Sequence, residues 1–136
     1  MILLDTNILM YAAGAEHPHK EPSRQYLERI ARGEIEAALD AETLQEILHR
    51  YKAIRRWPEG GQVYDLARLI VPVVLPVTAG ILDRSRNLLD EYPGLTARDA
   101  LHAAVALSHG ARAICSYDRD FDLIEDLERI EPVAED

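Results

Sequence analysis

Apolar residues fall into two kinds of stretch along this chain. Met1-Ile2-Leu3-Leu4, Ile35 to Leu39, Val73 to Val77 and Ala111 to Cys115 are short runs with few polar breaks. They have the length and continuity of strands covered on both faces. Between them lie longer segments with apolar residues at helical spacing. Ile8 to Ala13 follows Asp5 or Thr6 as cap. Pro22 to Arg32 places Tyr26, Leu27 and Ile30 on one face and ends at Gly33. Asp40 caps a long helix with Leu44, Ile47, Leu48 and Tyr51 in one stripe. Pro58-Glu59-Gly60-Gly61 is expected to break that helix, and Val63, Leu66, Ala67 and Ile70 to mark the next. Thr78 opens another, carrying Ile81, Leu82, Leu88 and Leu89 and stopped by Tyr92-Pro93-Gly94. Thr96-Ala97-Arg98-Asp99 starts an alanine-rich helix that runs to Ser108. Ser116 to Asp122 reads as an acidic turn followed by one helical turn, and Leu127 to Val133 as an edge strand.

Strands alternating with helices predict an α/β fold: three α/β/α layers around a central, mostly parallel sheet of four to five strands with right-handed crossovers. Residues 1–136 are expected to form a single domain, with 131–136 as a loose tail.

Composition narrows the setting. Aromatics are only 6% of the chain against 48% apolar residues in all, so the core is mostly aliphatic. The lone cysteine, Cys115, excludes an intramolecular disulfide and suits a reducing, cytoplasmic compartment; its place at a strand end makes it a core residue. Met1-Ile2-Leu3-Leu4 lacks the basic flank of a signal peptide and meets Asp5 too soon. The longest apolar stretch, Leu69 to Val77, is broken by Pro72 and Pro76, so no membrane association is expected. A formal net charge of −9 argues against a general nucleic-acid coat protein. It leaves a nuclease open, because acids gathered at a metal site inflate the count and a bound cation reverses the local field.

Position separates the informative carboxylates from the rest. Asp5 ends the first strand, at the sheet edge where ligand crevices form in open α/β folds. Glu46 lies in the second turn of the helix after strand two, Asp99 in the first turn of the alanine-rich helix, and Asp118 just after strand four. Doubly wound topology can bring all four to one edge, although linear spacing does not prove it. Such a cluster repels itself unless a hard cation neutralises it, and oxygen ligands suit Mg²⁺ or Mn²⁺. A cation so held activates water and stabilises a leaving oxygen, which makes phosphodiester hydrolysis its natural chemistry. Each acid also has a plain structural reading. Asp5 can cap a helix, and Asp99 completes a Thr-x-x-Asp capping box. Glu46 competes with Glu42 for one helix face, and Asp118 with Asp120 and Asp122 for one turn.

Four segments then resemble the PIN-domain ribonucleases, in particular the VapC-type toxins of type II toxin–antitoxin systems. They are Leu3-Leu4-Asp5-Thr6-Asn7, Thr43-Leu44-Gln45-Glu46-Ile47, the run Thr96-Ala97-Arg98-Asp99-Ala100-Leu101-His102-Ala103-Ala104, and Ser116-Tyr117-Asp118-Arg119-Asp120-Phe121-Asp122. They stand in the family's order and span nearly the whole chain. The resemblance implies a PIN-like fold and an Mg²⁺- or Mn²⁺-dependent endoribonuclease directed at single strands. It implies a catalytic, metal-binding quartet of Asp5, Glu46, Asp99 and Asp118, with Asp122 as an accessory acid. Asn7 and Ser116 would hold acids or water by hydrogen bonds. The partners it implies are RNA, a small inhibiting antitoxin and a second copy of the chain. Tyr117 stands where the family often has a small or polar residue.

Other features of the chain bear on that assignment. Arg50, Lys52, Arg55 and Arg56 crowd the end of the Glu46 helix beside Trp57. They can contact phosphate or a partner, or simply complement the helix dipole. His17 and His19 lack companions at ligand spacing and read as loop residues, and His102 reads as a buried histidine with a hydrogen-bonded partner. A haloacid-dehalogenase-type phosphatase needs a second acid where Asn7 stands. A phosphoreceiver needs a lysine after a late strand, and Lys20 and Lys52 are the only lysines. A PIN-like module that has lost catalysis and only binds partners is the remaining alternative.

Overall fold

Ile2–Leu4 (β1) occupies the middle of the molecule because both its faces are apolar. In the computed structural model, which describes residues 1–133, Ile2 and Leu4 pack into one helical layer and Leu3 into the other. Ala37–Asp40 (β2), Val74–Leu75 (β3), Ala113–Cys115 (β4) and Arg129–Ile130 (β5) complete a five-stranded sheet of order β3-β2-β1-β4-β5. Every pairing is parallel. In register, Leu3 sits beside Ile114 and Ala38, so the apolar alternation of three strands is in phase.

One layer holds Thr6–Ala13 (α1), Lys20–Ala31 (α2), Ala41–Ala53 (α3) and Trp57–Ile70 (α4), whose Leu9, Leu27, Ile47 and Ala67 meet over the sheet. The other holds Ala79–Glu91 (α5) and Ala97–Ser108 (α6). Ala100, Ala103, Ala104 and Ala106 are all fully buried, which lets α6 lie close against its neighbours. Asp40, Thr78 and Thr96 cap α3, α5 and α6 by accepting from the backbone N–H groups of Thr43, Ile81 and Asp99. No helix among the described residues is long and apolar enough to cross a membrane.

Two local expectations are corrected. Pro58 to Gly61 does not break a helix: α4 begins at Trp57, with Pro58 in its first turn, where a missing N–H costs nothing. The break falls earlier, where Arg55 takes a left-handed φ of 60° and the N–H of Arg56 returns to the Tyr51 carbonyl. Gly60 serves packing, since a Cβ there would lie 2.5 Å from Tyr51 Cβ across the α3–α4 contact. Second, β3 and β5 are shorter than the apolar runs that announced them, as befits the two sheet edges. Of the expected tail, Glu131 pairs with Arg129 and Pro132 is buried, and residues 134–136 lie outside the described residues.

Candidate active site

The strand ends that carry acids are neighbours in the sheet. Asp5 follows β1 and caps α1, its Oδ1 accepting from the Thr6 N–H at 2.7 Å. Its Oδ2 accepts from the Ser116 hydroxyl, 2.5 Å away at the end of β4. That hydroxyl also accepts from Asn7 Nδ2 at 3.1 Å and from the Asp118 N–H at 2.9 Å. One donor and two acceptor positions are all the group has, and all are used. Ser116 therefore locks the Asp5 carboxylate to the backbone that carries Asp118.

Asp118 starts the 3-10 turn Arg119–Leu123, accepting from the Asp120 N–H at 2.9 Å. From the first turn of α6 the Asp99 carboxyl comes up beside that of Asp118. One carboxylate oxygen each from Asp99, Asp118 and Asp120 lie within 4.8 Å of one another. Burial, with the hydrogen bond and charge of Asp118, pushes the Asp99 pKa up to about 7. Burial likewise raises Asp5, against the pull of His102 and Ser116. Carboxylates this close hold either a proton or a cation between them. Their all-oxygen donor set fits a hard divalent ion.

A second wall is built differently. His102, almost fully buried, stands between two acids: Nδ1 lies 2.5 Å from Asp40 Oδ2 and Nε2 2.8 Å from Glu46 Oε1. Nε2 also lies 3.8 Å from Asp5 Oδ1. Burial pulls the imidazole pKa down, but the bonds to Asp40 and Glu46 and the nearby charges carry it well above its ordinary value. With a carboxylate oxygen facing each ring nitrogen, the geometry favours the doubly protonated, cationic imidazole. Arg98 Nε adds a second cation, 3.2 Å from the same Glu46 oxygen. Asp40 is anchored in turn by the Thr43 N–H, and Thr43 by the Thr6 hydroxyl.

Asp5, Glu46, Asp99 and Asp118 all line one open cavity of about 780 Å³ at the carboxyl edge of the sheet. Asn7 and Ser116 stand beside them as described. Asp122 is placed elsewhere: two residues past Asp120 in a turn of three residues per revolution, it faces away and pairs with Arg129 Nε at 2.9 Å. The basic group divides. Arg50 lines the cavity, Lys52 lies over the Trp57 ring, Arg56 pairs with Glu59, and Arg55 forms the left-handed turn. Three participants escaped sequence reasoning: Asp40 beyond its capping role, Arg98, and Asp120 as a member of the cluster. The one signal for the Asp40 contact was His102, a polar residue on an otherwise apolar helix face. Its partner lies 62 residues away.

Carboxylates gathered for a divalent cation at the carboxyl edge of a wholly parallel sheet define a class of hydrolytic α/β protein. The family model of the PIN domain matches residues 2–127, and the chain belongs to the PIN-domain family. Ribonuclease VapC13 of Mycobacterium tuberculosis is 42% identical over 130 residues, covering 96% of this chain and 99% of that protein. Among solved structures, a toxin–antitoxin complex from Klebsiella pneumoniae superposes with a TM-score of 0.70 at 22% identity, covering 98% of each chain. Mycobacterium tuberculosis VapC20, described as a Sarcin-Ricin loop cleaving toxin, superposes with a TM-score of 0.73 at 17% identity, covering 90% of this chain and 94% of that one.

Proposed function

We propose that this protein is an endoribonuclease of the VapC type that hydrolyses RNA phosphodiester bonds with Mg²⁺ or Mn²⁺. The observation that carries the reading is the approach of Asp99, Asp118 and Asp120 around one point beside Asp5. Asp5, Asp99 and Asp118 would hold the cation, with Asp120 as the accessory acid in the place first expected for Asp122. Bound there, the ion supplies Lewis acidity toward phosphate and water. The chain does the rest. Ser116 and Asn7 fix Asp5 and the Asp118 backbone. Glu46, held through Oε1 by His102 and Arg98, leaves Oε2 to orient the attacking water. Arg50 is placed to meet a phosphate of the bound strand.

Purified protein should cleave RNA with Mg²⁺ or Mn²⁺, stop on chelation, and lose cleavage on Asp5→Asn with its fold intact. Cleavage unchanged by Asp5→Asn overturns the assignment.

A small antitoxin and a homodimer belong to the same proposal. The Klebsiella neighbour was solved with its antitoxin, and a cavity walled by acids suits an inserted basic side chain. Co-expression with any short protein encoded beside this gene should give a complex without ribonuclease activity. Light scattering on the protein alone should report two copies.

A further inference from the structure

Beside the acids, the cavity has a wall of a different kind. Tyr11, from α1, and His17, from the loop before α2, both line it. Their rings belong to a cluster of four. His19 stacks on Tyr117 at 3.7 Å and 10°, and Tyr11 meets His19 and Tyr117 edge-on at 5.0 and 5.3 Å. His17 lies 4.7 Å from both Tyr11 and His19. The cluster has two layers. His19 and Tyr117 are the inner pair, and the Tyr117 hydroxyl accepts from Ser23 at 3.4 Å. Tyr11 and His17 are the outer pair, and they face the same space as Asp5, Asp99 and Asp118. His17 is exposed, yet its ring is held, because Nδ1 accepts from the His19 N–H at 3.0 Å. A chain with 6% aromatic residues gathers two tyrosines and two histidines at the mouth of its acidic cavity.

Flat rings fixed beside a phosphate-directed site suit one ligand chemistry, an unpaired base of a single strand. We propose that Tyr11 and His17 form a stacking shelf for a nucleobase adjoining the scissile phosphate, and so select an unstacked nucleotide as substrate. The inference rests on the reading that this cavity takes RNA. It goes beyond that reading by assigning substrate selection to residues outside the acidic set. A helical strand keeps its bases stacked on one another and offers none to the shelf.

The test uses a short unstructured oligoribonucleotide carrying a fluorophore, with Asp5→Asn protein in Mg²⁺ so that the strand stays whole. A series with one abasic site at each position is bound in parallel. One abasic position should weaken binding by about 5- to 140-fold, the range for loss of a base–aromatic stack. His17→Ala should weaken the intact strand to a similar degree and cost nothing further at that abasic position, whereas His17→Phe should keep the affinity. The shelf is refuted if His17→Ala binds the intact strand as its parent does, if its loss is the same on every abasic strand, or if no strand binds. The nuclease reading is tested separately, by wild-type cleavage of the same strand with Mg²⁺ or Mn²⁺. Base-dependent binding without cleavage would sink that reading and keep the shelf.

Discussion

The two acidic walls of the cavity treat their carboxylates in opposite ways. On the Asp40–Glu46 side the protein supplies its own cations: buried His102 bridges the two acids, and Arg98 reaches Glu46 from the surface. On the Asp99–Asp118–Asp120 side no cation among the described residues pairs directly with the acids, His102 acts on Asp99 only at a distance, and Asp99 is driven to hold a proton near neutrality. The first wall is finished on folding and positions a carboxylate for work. The second is left under repulsion, which a cation from solution relieves. Under the proposed function, a binding site for a divalent ion would be made by withholding on one side the compensation supplied on the other.

Removing the internal cation should break the comparison most severely. His102→Ala leaves Asp40 buried without its partner and should cost about 3–5 kcal/mol of stability in urea unfolding, the usual penalty for stranding one member of a buried pair. A loss under about 1 kcal/mol would show that this wall is not balanced by the ring.

Asp118→Asn acts on the other wall with the opposite balance. Cleavage should fall by about 100-fold, or about 3 kcal/mol of transition-state stabilisation. The metal-free melting temperature should hold or rise, because repulsion is relieved. A drop in melting temperature would mean that the wall is not under repulsion.

The pH dependence sharpens the contrast further. The folded protein keeps a proton on Asp99 up to about pH 7, whereas the unfolded chain releases it near the ordinary value of 3.8. The folded state therefore binds more protons between those values, so this group's contribution to metal-free stability falls as pH rises from about 4 through 7. His102, raised in the fold, acts in the same direction above its ordinary 6.5. Melting curves of wild type and Asp99→Asn should accordingly converge at low pH and separate toward pH 8, with the variant more stable. Adding Mg²⁺ to the wild type at pH 8 should close the gap; parallel curves would contradict the proton on Asp99.

The smallest effect is expected at Arg98→Ala. Its pairing with Glu46 is half exposed and should contribute under about 1 kcal/mol to unfolding. A larger loss would move the balance of the first wall from His102 to the surface.

Much of the fold was legible because its signals are local. The apolar runs at Ile2–Leu4 and Ala113–Cys115 needed no partner to be read as buried strands, and Asp40, Thr78 and Thr96 declared themselves as caps. The α3–α4 junction misled because Pro58 and Gly60 carry the residue types of a break. Their roles are to start a helix and to admit Tyr51. At the site, position singled out Asp5 and Asp99 but left Glu42 beside Glu46, and Asp120 and Asp122 beside Asp118; the family resemblance supplied the quartet, which the fold brings to one cavity. That Asp120 stands with Asp99 and Asp118 while Asp122 pairs with Arg129 depends on the pitch of a turn that no residue pattern specified.

By itself, then, the sequence determined which segments are strands and helices and which strand and helix ends carry acids, since both follow from periodicity and caps within a few residues. Tertiary structure alone decided how those acids are compensated. His102 reaches Asp40 across 62 residues and Glu46 across 56, and Ser116 reaches Asp5 across 111. The order β3-β2-β1-β4-β5 sets those distances, because a parallel sheet places strand ends side by side in an order the chain does not follow.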